Sequence, residues 1–150
     1  MRVAVDTNVL AYAEGVNSAA RRTETQAILL RLPAESIVVP AQVLGELFRV
    51  ITRKAGASGE SARAAVMSCA DAFDMEGTTP EVLQRAADLA ASHRIDIWDA
   101  VILSTASASD CGLLLSEDLQ DGFAWGGVTV VNPFVNPPHP LLASASNSRP

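Results

Sequence analysis

RVAVDTN, residues 2–8, is an apolar run that stops at a carboxylate. Val3, Ala4 and Val5 suit a short buried strand, and the polar Asp6-Thr7-Asn8 that follows ends it. An apolar strand of this kind belongs in a parallel sheet covered on both faces, so the rest of the chain should alternate further strands with helices.

It does. Residues 19–32 suit a helix stopped near Pro33, and Ile37-Val38-Val39 reads as a second strand. Pro40 sits well at the first turn of a helix over 41–54, which Gly56 ends. Ala-rich helical patterns follow at 59–73 and 80–92, separated by the breaker Gly77-Thr78-Thr79-Pro80, with a short strand near 75–78. A further helix starts near Ile97 with Asp96 as its N-cap. GLLL at 112–115 and VTVV at 128–131 are the remaining strands, joined by a turn through FAWGG. The expected architecture is therefore α/β, a three-layer α/β/α sandwich with a central parallel sheet, formed by one domain over residues 1–131. From Asn132 to Pro150 the chain is rich in Pro, Asn and Ser without periodicity, and reads as an extended C-terminal tail.

At 150 residues one core and one principal site are expected. No apolar run is long enough for a membrane span, and MRVAVD carries no secretory leader pattern, so a cytoplasmic protein without a membrane partner is expected. Cys69 and Cys111 match no metal or redox spacing and read as buried free thiols. The net charge is −6, and Lys54 is the single lysine. An acidic chain is a poor ligand for a phosphate backbone unless bound metal ions or a basic partner reverse its local sign.

Four carboxylates stand at odd places. Asp99 lies in the first turn of the apolar helix IWDAVIL, where it reads equally as a helix-terminal charge favoured by the dipole and as a functional group. Glu46 borders the apolar arc of its own helix, about 40° from Val50 on an ideal wheel, and by itself reads as a surface partner of Arg49 or Arg53. Asp6 and Asp118 each follow a strand, where an Asp often makes a turn or a cap. A parallel sheet changes these separate readings, because the carboxyl ends of its strands and the first turns of the following helices share one rim. Four anions on one rim either raise their pKa values or bind a hard cation, and oxygen-only donors suit Mg²⁺ or Mn²⁺.

VDTNVL at 5–10, PAQVLGELFRV at 40–50, IWDAVI at 97–102 and LLSEDLQDG at 114–122 together resemble the PIN-domain ribonucleases, in particular VapC-type toxins of prokaryotic toxin-antitoxin pairs. The resemblance spans the chain to about Val131. It implies a metal-dependent endoribonuclease in which Asp6, Glu46, Asp99 and Asp118 form an acidic quartet, with Asp6, Asp99 and Asp118 on the metal. It further implies that Thr7, Asn8 and Ser116 support the site, that RNA is the substrate, that a cognate antitoxin blocks the cleft and that the chain forms a homodimer. Glu117 or Asp121 could share the place of Asp118, and Arg49 and Arg53 could hold RNA phosphates or be solvated charges. His93 and His139 read as surface residues, and Trp98 as a core residue, while Trp125 is open. The competing readings are a catalytically silent PIN-like binding protein, a DNA nuclease using the same cleft, and a phosphatase with Asp6 as nucleophile. The last wants a second Asp where Asn8 stands and a Lys near a strand end, whereas Lys54 falls at a helix end.

Overall fold

The structure, a computed structural model, describes residues 1–147. Among these residues six strands form one sheet in the order β3-β2-β1-β4-β6-β5. They are β1 (Arg2–Val5), β2 (Ile37–Pro40), β3 (Asp74–Glu76), β4 (Cys111–Leu115), β5 (Ala124–Trp125) and β6 (Val128–Val131). The first four and β6 pair in parallel, and only β5 runs antiparallel against β6.

Among the described residues seven α-helices connect and cover them: α1 (Thr7–Ala13), α2 (Ala19–Leu30), α3 (Ala41–Arg53), α4 (Gly59–Ala72), α5 (Pro80–His93), α6 (Ile97–Ala108) and α7 (Pro140–Asn147). Local chemistry sets their starts. The hydroxyls of Ser18, Ser58 and Thr79 and the carboxylate of Asp96 accept backbone N–H bonds from the first turns of α2, α4, α5 and α6. The chain steps from β1 to β2 to β3 in one direction and returns to β4 on the far side of β1, and crossovers between parallel strands are right-handed as a rule. The helices between β1 and β3 therefore cover one face of the sheet, and α5 with α6 cover the other. The expected sandwich, with its largely parallel sheet, is the observed fold.

The core follows from the strand patterns. Val3, Ala4, Val5, Val38, Val39, Leu113, Leu114 and Leu115 are fully covered, and the stretch Ala100–Ala106 of α6 is buried throughout. A helix apolar on every side belongs inside, which explains the missing polar face of IWDAVIL.

Several details depart from the sequence reading. The run after Asp6, to which the sequence reading assigned no element, is a helix, α1. FAWGG contains the two residues of β5, closed by Gly126 and Gly127 at φ +57° and +84°. This two-residue turn needs left-handed backbone, and a Cβ on Gly126 would stand 2.5 Å from Ser107 Oγ. Within the stretch expected to be extended, residues 140–147 form α7, which buries Leu142 and Ala145 against the domain. Residues 148–150 of that stretch lie outside the described residues. Trp98, expected inside, is 53 % exposed and lines a surface groove with Gln42, Gly45, Glu46 and Arg49.

Candidate active site

The strand order reverses between β1 and β4, since the chain winds outward from each in opposite directions. Open α/β sheets offer their ligand crevice at such a point, beyond the carboxyl ends of the strands. Asp6 follows β1 there and Ser116 follows β4.

Asp6 is buried at 4 % exposure and held by three donors. Thr7 N–H donates to Oδ1 at 2.6 Å as the cap of α1, Ser116 Oγ donates to Oδ2 at 2.6 Å, and Asn8 Nδ2 donates to Oδ2 at 3.2 Å. Burial raises its pKa, the Ser116 and Thr7 bonds oppose that rise, and the charges of Glu46 and Asp118 add to it.

Asn8 extends the network. Its amide also donates to Asp118 Oδ2 at 3.1 Å, and its carbonyl accepts the Glu117 N–H at 3.2 Å. Glu46 is fixed from two sides, by Thr7 Oγ1 at 2.7 Å and by Gln42 Nε2 at 2.8 Å. Neither Arg49 nor Arg53 pairs with it among the described residues, and both are exposed. Glu46 is thus oriented by neutral donors that leave its charge uncompensated.

Asp99 differs from the other acids. The cap of α6 is Asp96, whose Oδ1 accepts the Trp98 N–H at 2.8 Å, so Asp99 is spared that structural work. Its half-buried carboxyl is raised to about 6, first by burial and then by the negative charges of Asp6, Asp96, Glu46 and Asp118. The same charges that disturb Asp6 and Asp99 name the cluster: all four predicted acids act on one region.

A cleft of about 210 Å³ opens beside them, lined by Thr7, Asn8, Tyr12, Glu46, Lys54 and Asp118 among others. Two of these residues escaped the sequence reading. Tyr12 lies on α1, which was not foreseen, and its hydroxyl donates to Glu117 Oε1 at 3.1 Å. Lys54 was read only as a helix end; helical spacing could have signalled it, since Lys54 follows Val50 and Glu46 at intervals of four and all three line the cleft. Of the two substitutes weighed for Asp118, Glu117 is bound by Tyr12, and Asp121 accepts the Asn132 N–H at 2.7 Å. Arg49 lines a second groove, with Trp98, on the other side of Glu46, whereas Arg53 is in neither lining. His93 is exposed beside Phe123, and the half-buried His139 accepts the Leu141 N–H.

The site offers oxygen donors alone, which suits a hard divalent cation. Among the described residues no three His, Cys, Asp or Glu side chains close around one point as an all-protein cage. Mg²⁺ fits an open arrangement, because it keeps several waters and takes one or two carboxylates, with phosphate oxygens completing its shell. Burial first, and then the charges of Asp6, Asp96, Glu46 and Asp118, raise the Asp99 carboxyl, and a cation would offset the charge part of that rise.

The PIN-domain family model matches residues 3–123. Among solved structures, FitAcB from Neisseria gonorrhoeae is similar at 21 % identity, covering 87 % of this chain and 97 % of that one with a TM-score of 0.68. Mycobacterium tuberculosis VapC20, described as a sarcin-ricin loop cleaving toxin, is similar at 19 % identity over 77 % of this chain and 89 % of that one, with a TM-score of 0.66. A toxin-antitoxin complex from Klebsiella pneumoniae contains a chain similar at 18 % identity, with 85 % and 95 % covered and a TM-score of 0.66. No curated protein matches by sequence.

Proposed function

The chain belongs to the PIN-domain family, and from that premise we propose that it is a divalent-metal-dependent endoribonuclease, the toxin of a toxin-antitoxin pair. The observation that carries the reading is the gathering of Asp6, Glu46, Asp99 and Asp118 at the reversal of the strand order, with their charges mutually uncompensated. A fold gains nothing from such repulsion, whereas a hydrolytic metal site requires it. The descriptions of similar structures as toxins and toxin-antitoxin complexes support the biological role.

Asp6, Asp99 and Asp118 would hold Mg²⁺, or Mn²⁺, one or two of them directly and the rest through its waters, with Glu46 beside them. The ion supplies Lewis acidity toward a phosphoryl oxygen and lowers the pKa of a bound water. The chain's own residues do the positioning. Ser116 and the Thr7 N–H fix both oxygens of Asp6, and Asn8 ties Asp6 to Asp118 so that the ends of β1 and β4 move together. Thr7 and Gln42 hold Glu46 with both oxygens directed. Such preorganisation keeps the carboxylates from collapsing onto other donors before an RNA phosphodiester arrives for in-line attack by water. Lys54, in the cleft with Glu46 and Asp118, supplies positive charge for an adjoining phosphate.

The cognate antitoxin would block this cleft, and the working form is read as a cytoplasmic homodimer. No helix among the described residues is long and apolar enough to cross a membrane. Incubation of the purified chain with structured and single-stranded RNA tests the reading. Cleavage with Mg²⁺, its loss with EDTA, and a fall of about 10²-fold or more in Asp6→Asn and Asp99→Asn are expected. Equal cleavage by all three chains would sink it.

A further inference from the structure

Trp98 and Asp99 are neighbours in the first turn of α6 with opposite surroundings. Asp99 is half-buried beside the other acids, while the Trp98 indole stands out at 53 % exposure on a helix whose residues 100–106 are all buried. The indole borders a groove of about 380 Å³ that runs between α6 and α3 and is lined by Gln42, Gly45, Glu46 and Arg49. Glu46 belongs both to this groove and to the acidic cleft, so the two adjoin at that side chain.

The lining has a particular chemistry. Arg49 is exposed and forms no ion pair among the described residues, although Glu46 lies within one helical turn of it. Gln42 is committed to Glu46. Gly45 stands inside α3, where glycine weakens a helix, yet a Cβ there would meet nothing within 4 Å. No packing demand explains that glycine; it leaves the floor of the groove clear for something that approaches the backbone closely. A flat aromatic face, an unpaired guanidinium and an open floor match a nucleotide, one for the base and one for the phosphate. An apolar protein segment would instead strip water from Arg49 and Glu46 without offering either a partner.

We propose that this groove is the subsite for the nucleotide next to the cleaved phosphate, where Trp98 stacks an unpaired base of single-stranded RNA and Arg49 binds its phosphate. The assignment rests on the ribonuclease reading and adds its substrate form: a base can reach the indole only when unstacked, as in a loop or a single strand.

Affinity for a short fluorescein-labelled single-stranded RNA of mixed sequence, read by anisotropy in the cleavage-deficient Asp6→Asn chain, tests it. Trp98→Leu keeps an apolar side chain but no ring and should weaken binding roughly ten-fold, whereas Trp98→Phe should recover most of the loss. Arg49→Gln should weaken binding and reduce the dependence of log affinity on log salt by about 0.7. In the active chain, Trp98→Leu should also shift the preferred cleavage positions. Unchanged affinity in Trp98→Leu, with RNA cleavage still abolished by Asp6→Asn, overturns the subsite and leaves the ribonuclease standing. A wild-type chain that neither binds nor cleaves RNA removes both. Unchanged RNA affinity with a smaller sedimenting species in Trp98→Leu makes the indole a protein interface and overturns the subsite as well.

Discussion

The side-chain amide of Asn8 donates to Asp118 Oδ2 at 3.1 Å while the same nitrogen donates to Asp6 Oδ2 at 3.2 Å. One neutral group therefore separates two anions at the ends of β1 and β4. Asn8→Asp removes the donor and adds a charge between them. The variant should lose about 1–3 kcal/mol of stability at neutral pH, and should regain much of it near pH 4–5, where carboxylates begin to protonate. Urea unfolding at the two pH values measures this, and an equal loss at both would show that the amide's charge separation is irrelevant.

The Asp99 carboxyl gives the metal-free fold a pH dependence whose sign can be worked out. Its folded value of about 6 lies above the value near 4 of an unfolded aspartate, so the folded chain binds the proton more tightly. Its contribution to stability is then fully present below about pH 4 and is lost as the pH rises through 6. The melting temperature of the EDTA-treated chain should fall across this window. Asp99→Asn should flatten the fall, and Mg²⁺ added at neutral pH should restore stability by binding the folded form. Asp96→Ala should behave differently, costing about 1 kcal/mol through the lost cap while the fall with pH persists in weakened form, since Asp96 is only one of the charges acting on Asp99. A wild-type curve that rises from pH 5 to 7 in EDTA would contradict the assignment.

These two acids show what could be read from the sequence. Asp96 as cap and Asp99 as an intruder in an apolar helix were legible because capping chemistry and helical periodicity are local. The strands were legible because parallel strands covered on both faces are short continuous apolar runs, as RVAV, IVV and VTVV are. Orientation at the sheet edge was not. On the wheel Trp98 looks like any other apolar residue of α6, and its exposure depends on where that helix sits against α3, which the sequence does not state. Lys54 and Tyr12 entered the cleft through packing of α3 and α1 across the end of β1, a tertiary fact. The helix α7 was masked by composition, since Pro, Asn and Ser surround its few apolar residues.

Ser116 tests whether Asp6 is held by design of the strand end. Its Oγ is fully buried, donates to Asp6 at 2.6 Å and accepts the Leu119 N–H at 3.3 Å. Ser116→Ala leaves the Leu119 N–H without its partner and takes from Asp6 Oδ2 the shorter of its two bonds, leaving only that from Asn8. A loss of about 1–3 kcal/mol is expected. Because the bond favours the charged form of Asp6, the loss should be smaller in acid, and cleavage should fall more than the stability change explains. Ser116→Thr, which keeps the hydroxyl, should retain more cleavage than the alanine variant despite its extra methyl. Isothermal unfolding and initial cleavage rates, taken together on both variants, separate these effects.

The C-terminal segment should matter to both stability and the site. Leu142 is 5 % exposed and Ala145 3 %, so α7 closes part of the core surface. Ahead of it Phe134 meets Tyr12 edge to face at 5.5 Å, and the Arg21 guanidinium lies 4.2 Å over the Phe134 ring. Tyr12 in turn donates to Glu117, whose N–H donates to Asn8. This chain of contacts leads from the segment to the carboxylates. Leu142→Ala should cost about 2 kcal/mol, the low end for a buried leucine, because a terminal helix can resettle over the gap. Phe134→Ala should cost less stability but more activity, since it frees Tyr12 rather than opening the core. Tyr12→Phe, which keeps the ring and removes the hydroxyl, then decides the route: if cleavage falls as far as in Phe134→Ala, the influence passes through the Tyr12–Glu117 bond. Full activity in Tyr12→Phe beside a loss in Phe134→Ala would show that ring packing alone carries it.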